Sequence, residues 1–267
     1  MRIVYFVQYF NLPHEPGGSR AHQLAKTWAA EGHRVSVVTG AVNHKTLTVP
    51  EHLRGRPVTV ERLADNLRVV RVWSYAGIRG SFRKRVLNFL SYAAAAGTLG
   101  LLRAGKPDVV YASSTPLTVG LPGLFAAAVR RCPWLFEVRD LWPESAVVAG
   151  VLDRAALLTR AAQTASERFY RSAGRVVGVT EGIVDGLAAQ GVPRSKLLFA
   201  PNGVDDWMLE EPFVAPARPG GRMRVVYCGA HGMWNGLDQI LDAAHRLRDD
   251  PVDLELVGDG DRKARLV

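Results

Sequence analysis

The feature that most limits what this chain can fold into is an alternation of short apolar runs with stretches of helical period. Ile3 to Val7, Val35 to Thr39, Val109 to Ser113, Trp134-Leu135-Phe136 and Arg175 to Thr180 are short and rich in β-branched or aromatic residues. Runs of this kind read as parallel strands buried on both faces. Between them the apolar residues take helical spacing: Ala21, Leu24, Ala25 and Trp28 after the first run, Leu117, Leu121, Leu124, Phe125 and Ala128 after the third. A long helix is expected over Asp153 to Ser172, a helix over Ile183 to Gln190 and a short strand over Lys196 to Ala200. Val58-Thr59-Val60 and Leu67 to Trp73 read as two strands around a turn at Asp65-Asn66. The fold class expected is α/β, a doubly wound, Rossmann-like parallel sheet with helices on both faces.

The pattern then begins again. Glu211 to Arg222 holds Pro212, Pro216, Pro219, Gly220 and Gly221, a linker composition. After it come a strand over Arg224 to Cys228, the turn Gly229-Ala230-His231-Gly232, a helix with Leu237, Ile240, Leu241 and Ala244, and a strand over Leu254 to Val257. The expected organisation is a first domain over residues 1–210, a linker over 211–222 and the start of a second Rossmann-like domain over 223–267. So short a second unit would not cover both faces of its own sheet.

Net charge is +9, from 34 Lys plus Arg against 25 Asp plus Glu, which favours anionic partners. Nucleic acid is not among those expected, because the basic residues are scattered and not interleaved with aromatics. Cys132 and Cys228 stand far apart without metal spacing, and the N-terminus carries no cleavage-site pattern, so a reduced, cytoplasmic chain is expected. Arg79, Arg83, Lys84 and Arg85 precede the apolar run Val86 to Leu102. Two readings stand for that stretch: a helix resting on an anionic membrane surface, and a core helix with a solvated basic start.

Candidate chemistry concentrates in Phe136-Glu137-Val138-Arg139-Asp140-Leu141-Trp142-Pro143-Glu144-Ser145. An apolar strand leads into four charged residues, and Pro143 bars a simple continuation into a helix. The cluster should sit at the C-terminal edge of a parallel sheet, where such folds bind ligands. A self-neutralising ion-pair cluster that only shapes a loop is the competing reading. Earlier in the chain, Gly17-Gly18-Ser19-Arg20 joins the first strand to its helix. A glycine turn at a helix start can face an anion with bare amides, and a plain tight turn would look the same.

Taken in order, Gly17-Gly18, the Glu137 to Glu144 stretch, Pro201-Asn202-Gly203-Val204-Asp205, Gly229 with Gly232 and Gly236-Leu237-Asp238, and Val257-Gly258-Asp259-Gly260 resemble glycosyltransferase family 4. The Arg-Asp-Leu-Trp-Pro-Glu-Ser wording is similar to the branch that builds bacterial surface polysaccharides. The resemblance covers essentially the whole chain. It implies the two-Rossmann GT-B fold and transfer of a sugar with retention. The implied donor is a nucleotide-sugar, UDP-linked and with acetamido sugars among the candidates. The implied acceptor is lipid-linked or a saccharide, no metal is required, and the implied place is cytoplasmic or peripheral at the inner face of the plasma membrane.

Carried over residue by residue, the resemblance puts Asp140, with Arg139 and Glu144, toward the reacting sugar. It puts Gly17, Gly18 and Arg20 near the donor diphosphate and the acceptor, Asn202 and Gly203 at the cleft border, and Gly229 with its amide close to the diphosphate. Relatives often carry Arg and Lys where this chain has Ala230 and Asn235, and His231 would supply part of that positive character. The family's paired-glutamate motif is not among the 267 residues, so the chain alone is expected to bind a sugar nucleotide weakly. Two other readings stand beside transfer. One is a catalytically inactive remnant serving as an acceptor- and membrane-binding unit, and another is a GT-B-like sugar-nucleotide epimerase. A glycosidase using Glu137 and Asp140 as its carboxylate pair ranks below these, because both residues lie in one strand-loop segment.

Overall fold

A computed structural model of the chain describes residues 1–13, 15, 20–43, 46, 48–76, 82–148, 150, 152–204, 209–210, 221–232, 235–260 and 262–266. Gly17, Gly18, Asp205 and residues 211–220 of the expected linker lie outside the described residues. The chain divides into two compact units, Met1–Asp205 and Asp206–Val267.

The first unit is an eight-stranded sheet. Its strands are β1 (Arg2–Val7), β2 (Arg34–Gly40), β3 (Val58–Ala64), β4 (Leu67–Val72), β5 (Val109–Ser113), β6 (Trp134–Val138), β7 (Arg175–Gly178) and β8 (Leu197–Phe199), in the order β3-β4-β2-β1-β5-β6-β7-β8. All neighbours run parallel except β3 against β4, the two strands expected around the Asp65-Asn66 turn, so the parallel sheet carries one antiparallel edge strand. The reason is local. The Asp65-Asn66 turn is too short for a crossover, and two strands joined so tightly can only pair antiparallel.

Alternation along the strands divides the core. Val4 and Phe6 join Val38, Val70, Val110 and Phe136 on one face, while Ile3, Tyr5 and Val7 join Val37, Val69 and Tyr111 on the other. Helix α1 (Arg20–Ala30) closes the second face with Ala21, Ala25 and Ala29. Helix α2 (Phe82–Ala95), a π turn (Ala96–Gly100) and α3 (Leu101–Ala104) lie on the first face, followed by α4 (Gly120–Arg130), α5 (Glu144–Val148), α6 (Leu157–Ser172) and α7 (Glu181–Ala189). The long helix begins at Leu157 instead of Asp153, because the Asp153 carboxylate and carbonyl cap a preceding turn by accepting from the Ala155 and Ala156 amides.

Helix α4 corrects the expectation for its inner face. It buries Gly120, Pro122, Gly123, Ala126 and Ala127, and it leaves Leu121 and Phe125 exposed. A Cβ on Gly123 would come 2.8 Å from the Ala112 Cβ and 3.3 Å from the Trp134 ring, so only a small-residue face lets the helix come this close to the sheet. Close approach outweighed the larger apolar side chains, which point outward.

The second unit contains a parallel pair, β9 (Met223–Cys228) and β10 (Val252–Val257), with α8 (Leu237–Arg246) between them and α9 (Lys263–Leu266) after them. Of the α8 residues singled out by periodicity, Leu237 is buried and Ile240, Leu241 and Ala244 are half-buried.

Candidate functional site

The strand order reverses between β1 and β5. At such a switch point the loops leaving the two strands diverge and open a crevice at the C-terminal edge. Four loops meet along this edge: those after β1, β5, β6 and β8.

Glu137 anchors them. It is fully buried at the end of β6, on the same face as α1. Its Oε2 accepts from the Arg20 Nη2 at 2.7 Å, the Arg20 Nε at 3.2 Å and the Tyr111 hydroxyl at 2.7 Å, and its Oε1 accepts from the Ser113 Oγ at 2.5 Å. Tyr111 and Ser113 are two apart on β5, so they project to one face together. Burial, and then the Glu137 charge, push the Tyr111 hydroxyl well above its ordinary pKa, which keeps it a donor. Tyr5 is raised for the same two reasons in the same order. A carboxylate so buried and so saturated cannot face a substrate. It is no partner for Asp140 in a glycosidase pair.

Arg20 also donates to the Pro201 carbonyl at 2.7 Å (Nη1) and the Ala200 carbonyl at 2.9 Å (Nη2). Burial alone would lower its pKa, and the Glu137 hydrogen bond and charge outweigh that and raise it. Four of the five N–H groups of a guanidinium are thus committed to protein partners. Arg20, expected to touch substrate, instead ties the start of α1 to the ends of β6 and β8. The exposed Asn202 and Gly203 follow directly in the loop that it holds.

Asp140 lies two residues beyond β6 and is exposed. Its Oδ2 accepts from the Thr115 Oγ1 at 3.0 Å, and no cation pairs with it among the described residues. The Arg139 amide donates to the Ser114 Oγ at 3.2 Å, and the Ser114 amide to the Glu137 carbonyl at 2.9 Å, so the β5 and β6 loops are stitched together under Asp140. This part of the cluster does not neutralise itself. Glu144 opens α5 beyond Pro143, away from Asp140 along the chain, and its Oε2 is shut off from solvent without a hydrogen-bond partner among the described residues.

In the second unit, the loops after β9 and β10 interlock. The Gly229 amide donates to the Val257 carbonyl at 3.0 Å, and the His231 amide to the Asp259 carbonyl at 2.9 Å. The Gly229 amide, expected to reach a diphosphate, is therefore already engaged. A side chain on Gly258 would collide with the Gly229 carbonyl, so this crossing requires glycine. The His231 imidazole is buried, with neither ring nitrogen hydrogen-bonded among the described residues. No three His, Cys, Asp or Glu side chains among the described residues gather as metal ligands.

Thr115 and Ser114 were not singled out from the sequence, and the only signal for them is their position immediately after an apolar strand. Tyr111 and Ser113 had a better one: polar atoms two apart on the same face of a buried strand call for a buried partner.

A family profile described as a glycosyl transferase 4-like domain matches residues 17–203, more than half of the chain. Among curated proteins, the chain is 23% identical to an Escherichia coli (strain K12) protein named for colanic acid biosynthesis glycosyl transfer, WcaI, over 99% of this chain and 67% of that one. It is 26% identical to a Pseudomonas aeruginosa protein named as a glycosyltransferase, WbjE, over 59% of this chain and 41% of that one. Solved structures of similar fold include the catalytic domain of starch synthase IV from Arabidopsis thaliana bound to ADP and acarbose, with a TM-score of 0.62 and 12% identity over 97% of this chain and 68% of that one. Anabaena HepE in complex with UDP and glucose follows with a TM-score of 0.56 and 17% identity, over 97% of this chain and 61% of that one. The architecture is the one seen in GT-B glycosyltransferases, and the matched profile spans the sheet edge described above. The chain belongs to the glycosyl transferase 4-like family.

Proposed function

We propose that the chain transfers a sugar, with retention, from a UDP-linked donor to a saccharide or lipid-linked acceptor in the synthesis of a bacterial surface polysaccharide. The observation that carries this reading is Asp140, an exposed carboxylate at the switch-point edge, oriented by Thr115 and left unneutralised. A carboxylate so placed can orient an acceptor hydroxyl or support positive charge developing at the anomeric carbon. The first unit would take the acceptor. The second would take the donor diphosphate at the α8 N-terminus, with no metal needed, because a helix start favours negative charge. The names of WcaI and WbjE and the UDP bound to HepE support the substrate class.

The test is transfer from labelled UDP-sugars, acetamido sugars included, to lipid-linked and free saccharides. Both the chain itself and the chain joined to the C-terminal part of WcaI should be assayed, since the match covers 67% of that relative. Glycoside formation by the joined form is expected, with the anomeric configuration kept. Conversion of the UDP-sugar to its epimer without transfer would overturn the reading in favour of an epimerase, and acceptor binding without turnover in either form would favour a binding unit.

The membrane is the second proposed partner. Residues 82–104 form one helix long and apolar enough to cross a membrane by length and composition. Its polar residues instead bind it to the sheet: Asn88 accepts from Gln8 and donates to the Tyr75 carbonyl, each at 2.6 Å, and the Tyr92 hydroxyl donates to the Val38 carbonyl at 2.9 Å. The opposite side exposes Leu87, Leu90, Leu99 and Leu102 beside Leu121, Phe125 and Val129 of α4, and neither helical stretch contains Asp or Glu. Arg83, Lys84, Arg85 and Arg103 are exposed on the same helical stretch, and Arg130 is half-buried at the end of α4. The apolar surface is suited to lie on an anionic bilayer, each basic residue near the surface contributing about 1 kcal/mol. Flotation with vesicles containing phosphatidylglycerol should carry the chain up, and neutral vesicles or high salt should not. Equal recovery on both vesicle types would contradict it.

A further inference from the structure

One large side chain at the switch-point edge serves neither core. The loop after β6 turns tightly, the Trp142 amide donating to the Asp140 carbonyl at 2.9 Å. Leu141, between them, packs against the core. A Cβ on Gly186 of α7 would come 2.5 Å from the Leu141 Cδ1, so only glycine admits this leucine. Leu141 thereby pins the turn, and Asp140 and Trp142 flank the pin with Cα atoms at most about 7 Å apart. The Trp142 ring is half-buried and packs against neither core cluster. Trp28 and Trp134 differ, each meeting two aromatic rings in or against a core. Among the described residues Trp142 makes no ring contact, and its indole N–H reaches solvent without a hydrogen-bond partner. Each Å2 of ring left open forgoes roughly 25 cal/mol of burial, which a ligand covering the ring recovers. A lone exposed apolar residue is ordinary on a protein surface. Trp142 is set apart by its place, on a turn pinned to the core and two residues from the candidate carboxylate.

We infer that Trp142 is a specificity-determining platform for the sugar ring presented to Asp140. A pyranose carries C–H groups on its faces and hydroxyls around its rim. The C–H groups, polarised by the ring oxygens, meet the negative face of the indole, while a rim hydroxyl accepts from the indole N–H. A neighbouring hydroxyl then lies within reach of Asp140. The class selected is a pyranose with an unbroken apolar face, which an open-chain polyol bearing similar hydroxyls does not offer. Only the naming of this ring as the acceptor's rests on the glycosyl-transfer reading.

The experiment is NMR of the indole N–H groups of the isotope-labelled chain without any nucleotide-sugar, titrated separately with methyl β-glucoside, methyl β-N-acetylglucosaminide and sorbitol. The Trp142 resonance is the one missing from Trp142→Phe. At least one glycoside should move it saturably, and sorbitol should not. Trp142→Ala should weaken glycoside binding, followed through the amides of residues 139–145, about tenfold or more. Trp142→Phe keeps a ring and lacks the N–H, so it should stay within about threefold of the wild type. In the chain joined to the C-terminal part of WcaI, Trp142→Ala should raise the acceptor KM about tenfold or more, with the KM for the UDP-sugar within about threefold. Lost packing alone would lower the unfolding midpoint and spare that difference between the two substrates. No movement of the Trp142 resonance with either glycoside, equal movement with sorbitol, or Trp142→Phe as poor as Trp142→Ala would overturn the inference. The titration of the wild type against Trp142→Phe keeps the test intact should Trp142→Ala fail to fold. Transfer with an unchanged acceptor KM in Trp142→Ala removes this inference alone, and glycoside binding at Trp142 without transfer removes only the proposed activity.

Discussion

Replacing Arg20 with alanine is expected to lower the folding stability of the chain by about 3–5 kcal/mol, the range for breaking a buried ion pair from one side. The reason is what it leaves behind. Glu137 is 0% exposed, and the Arg20 side chain above it is 11% exposed, so little water can replace the guanidinium. Tyr111 and Ser113 would still donate, but they are neutral. The same substitution releases the Ala200 and Pro201 carbonyls, which only Arg20 is seen to hold through side-chain bonds among the described residues. Glu137→Gln should cost less, about 1–3 kcal/mol, since it removes the charge and keeps most of the shape. The double variant should then be more stable than Arg20→Ala alone, because the uncompensated carboxylate is the larger penalty. Urea unfolding of the three variants with unchanged m values measures this. A loss below about 1 kcal/mol for Arg20→Ala, or simple additivity in the double variant, would mean that the pair is not the anchor described here.

The same pair shows where sequence reading stops. The strands were legible because parallel strands covered on both faces must be continuously apolar, and a charged residue inside one, such as Glu137, announces a buried partner. Which partner was not legible. Tyr111 and Ser113 lie 26 and 24 positions away and Arg20 lies 117 away, joined only by the strand order. Glu137 and Asp140 lie three positions apart along the chain, yet strand alternation and the sheet edge send one inward and the other out. Helix α4 was misread for a related reason. Periodicity finds the stripe of large apolar residues, and here Gly120 and Gly123 had to face inward for the helix to fit against Phe169, Ala112 and Trp134. The resemblance puts Arg20 near the donor diphosphate and the acceptor, and nothing local reveals that its guanidinium meets a buried glutamate.

Asp140→Asn is expected to reduce sugar transfer by about 10²–10⁴-fold, the usual contribution of a positioned acid or base, in whichever form of the chain proves active. The substitution keeps size and hydrogen bonding while removing the negative charge. Asp140 is exposed and has a single side-chain partner among the described residues, Thr115, whose hydroxyl can still donate to the amide oxygen of asparagine. Stability should therefore change by less than about 0.5 kcal/mol, as is usual for exposed positions. The contrast with Arg20→Ala is the useful part: one variant folds normally and does not turn over, the other is impaired because its loops are no longer held. If the carboxylate supports charge that develops only in the transition state, kcat should fall while KM for the acceptor stays within a few-fold. If it mainly orients the acceptor hydroxyl, KM should rise as well. Thr115→Val separates the two further, since it leaves the charge and removes only its orienting hydrogen bond, and a smaller drop, about tenfold, is expected from it. Full activity of Asp140→Asn in a well-folded protein would remove Asp140 from the chemistry and move the search to Arg139 and to the loop carrying Asn202.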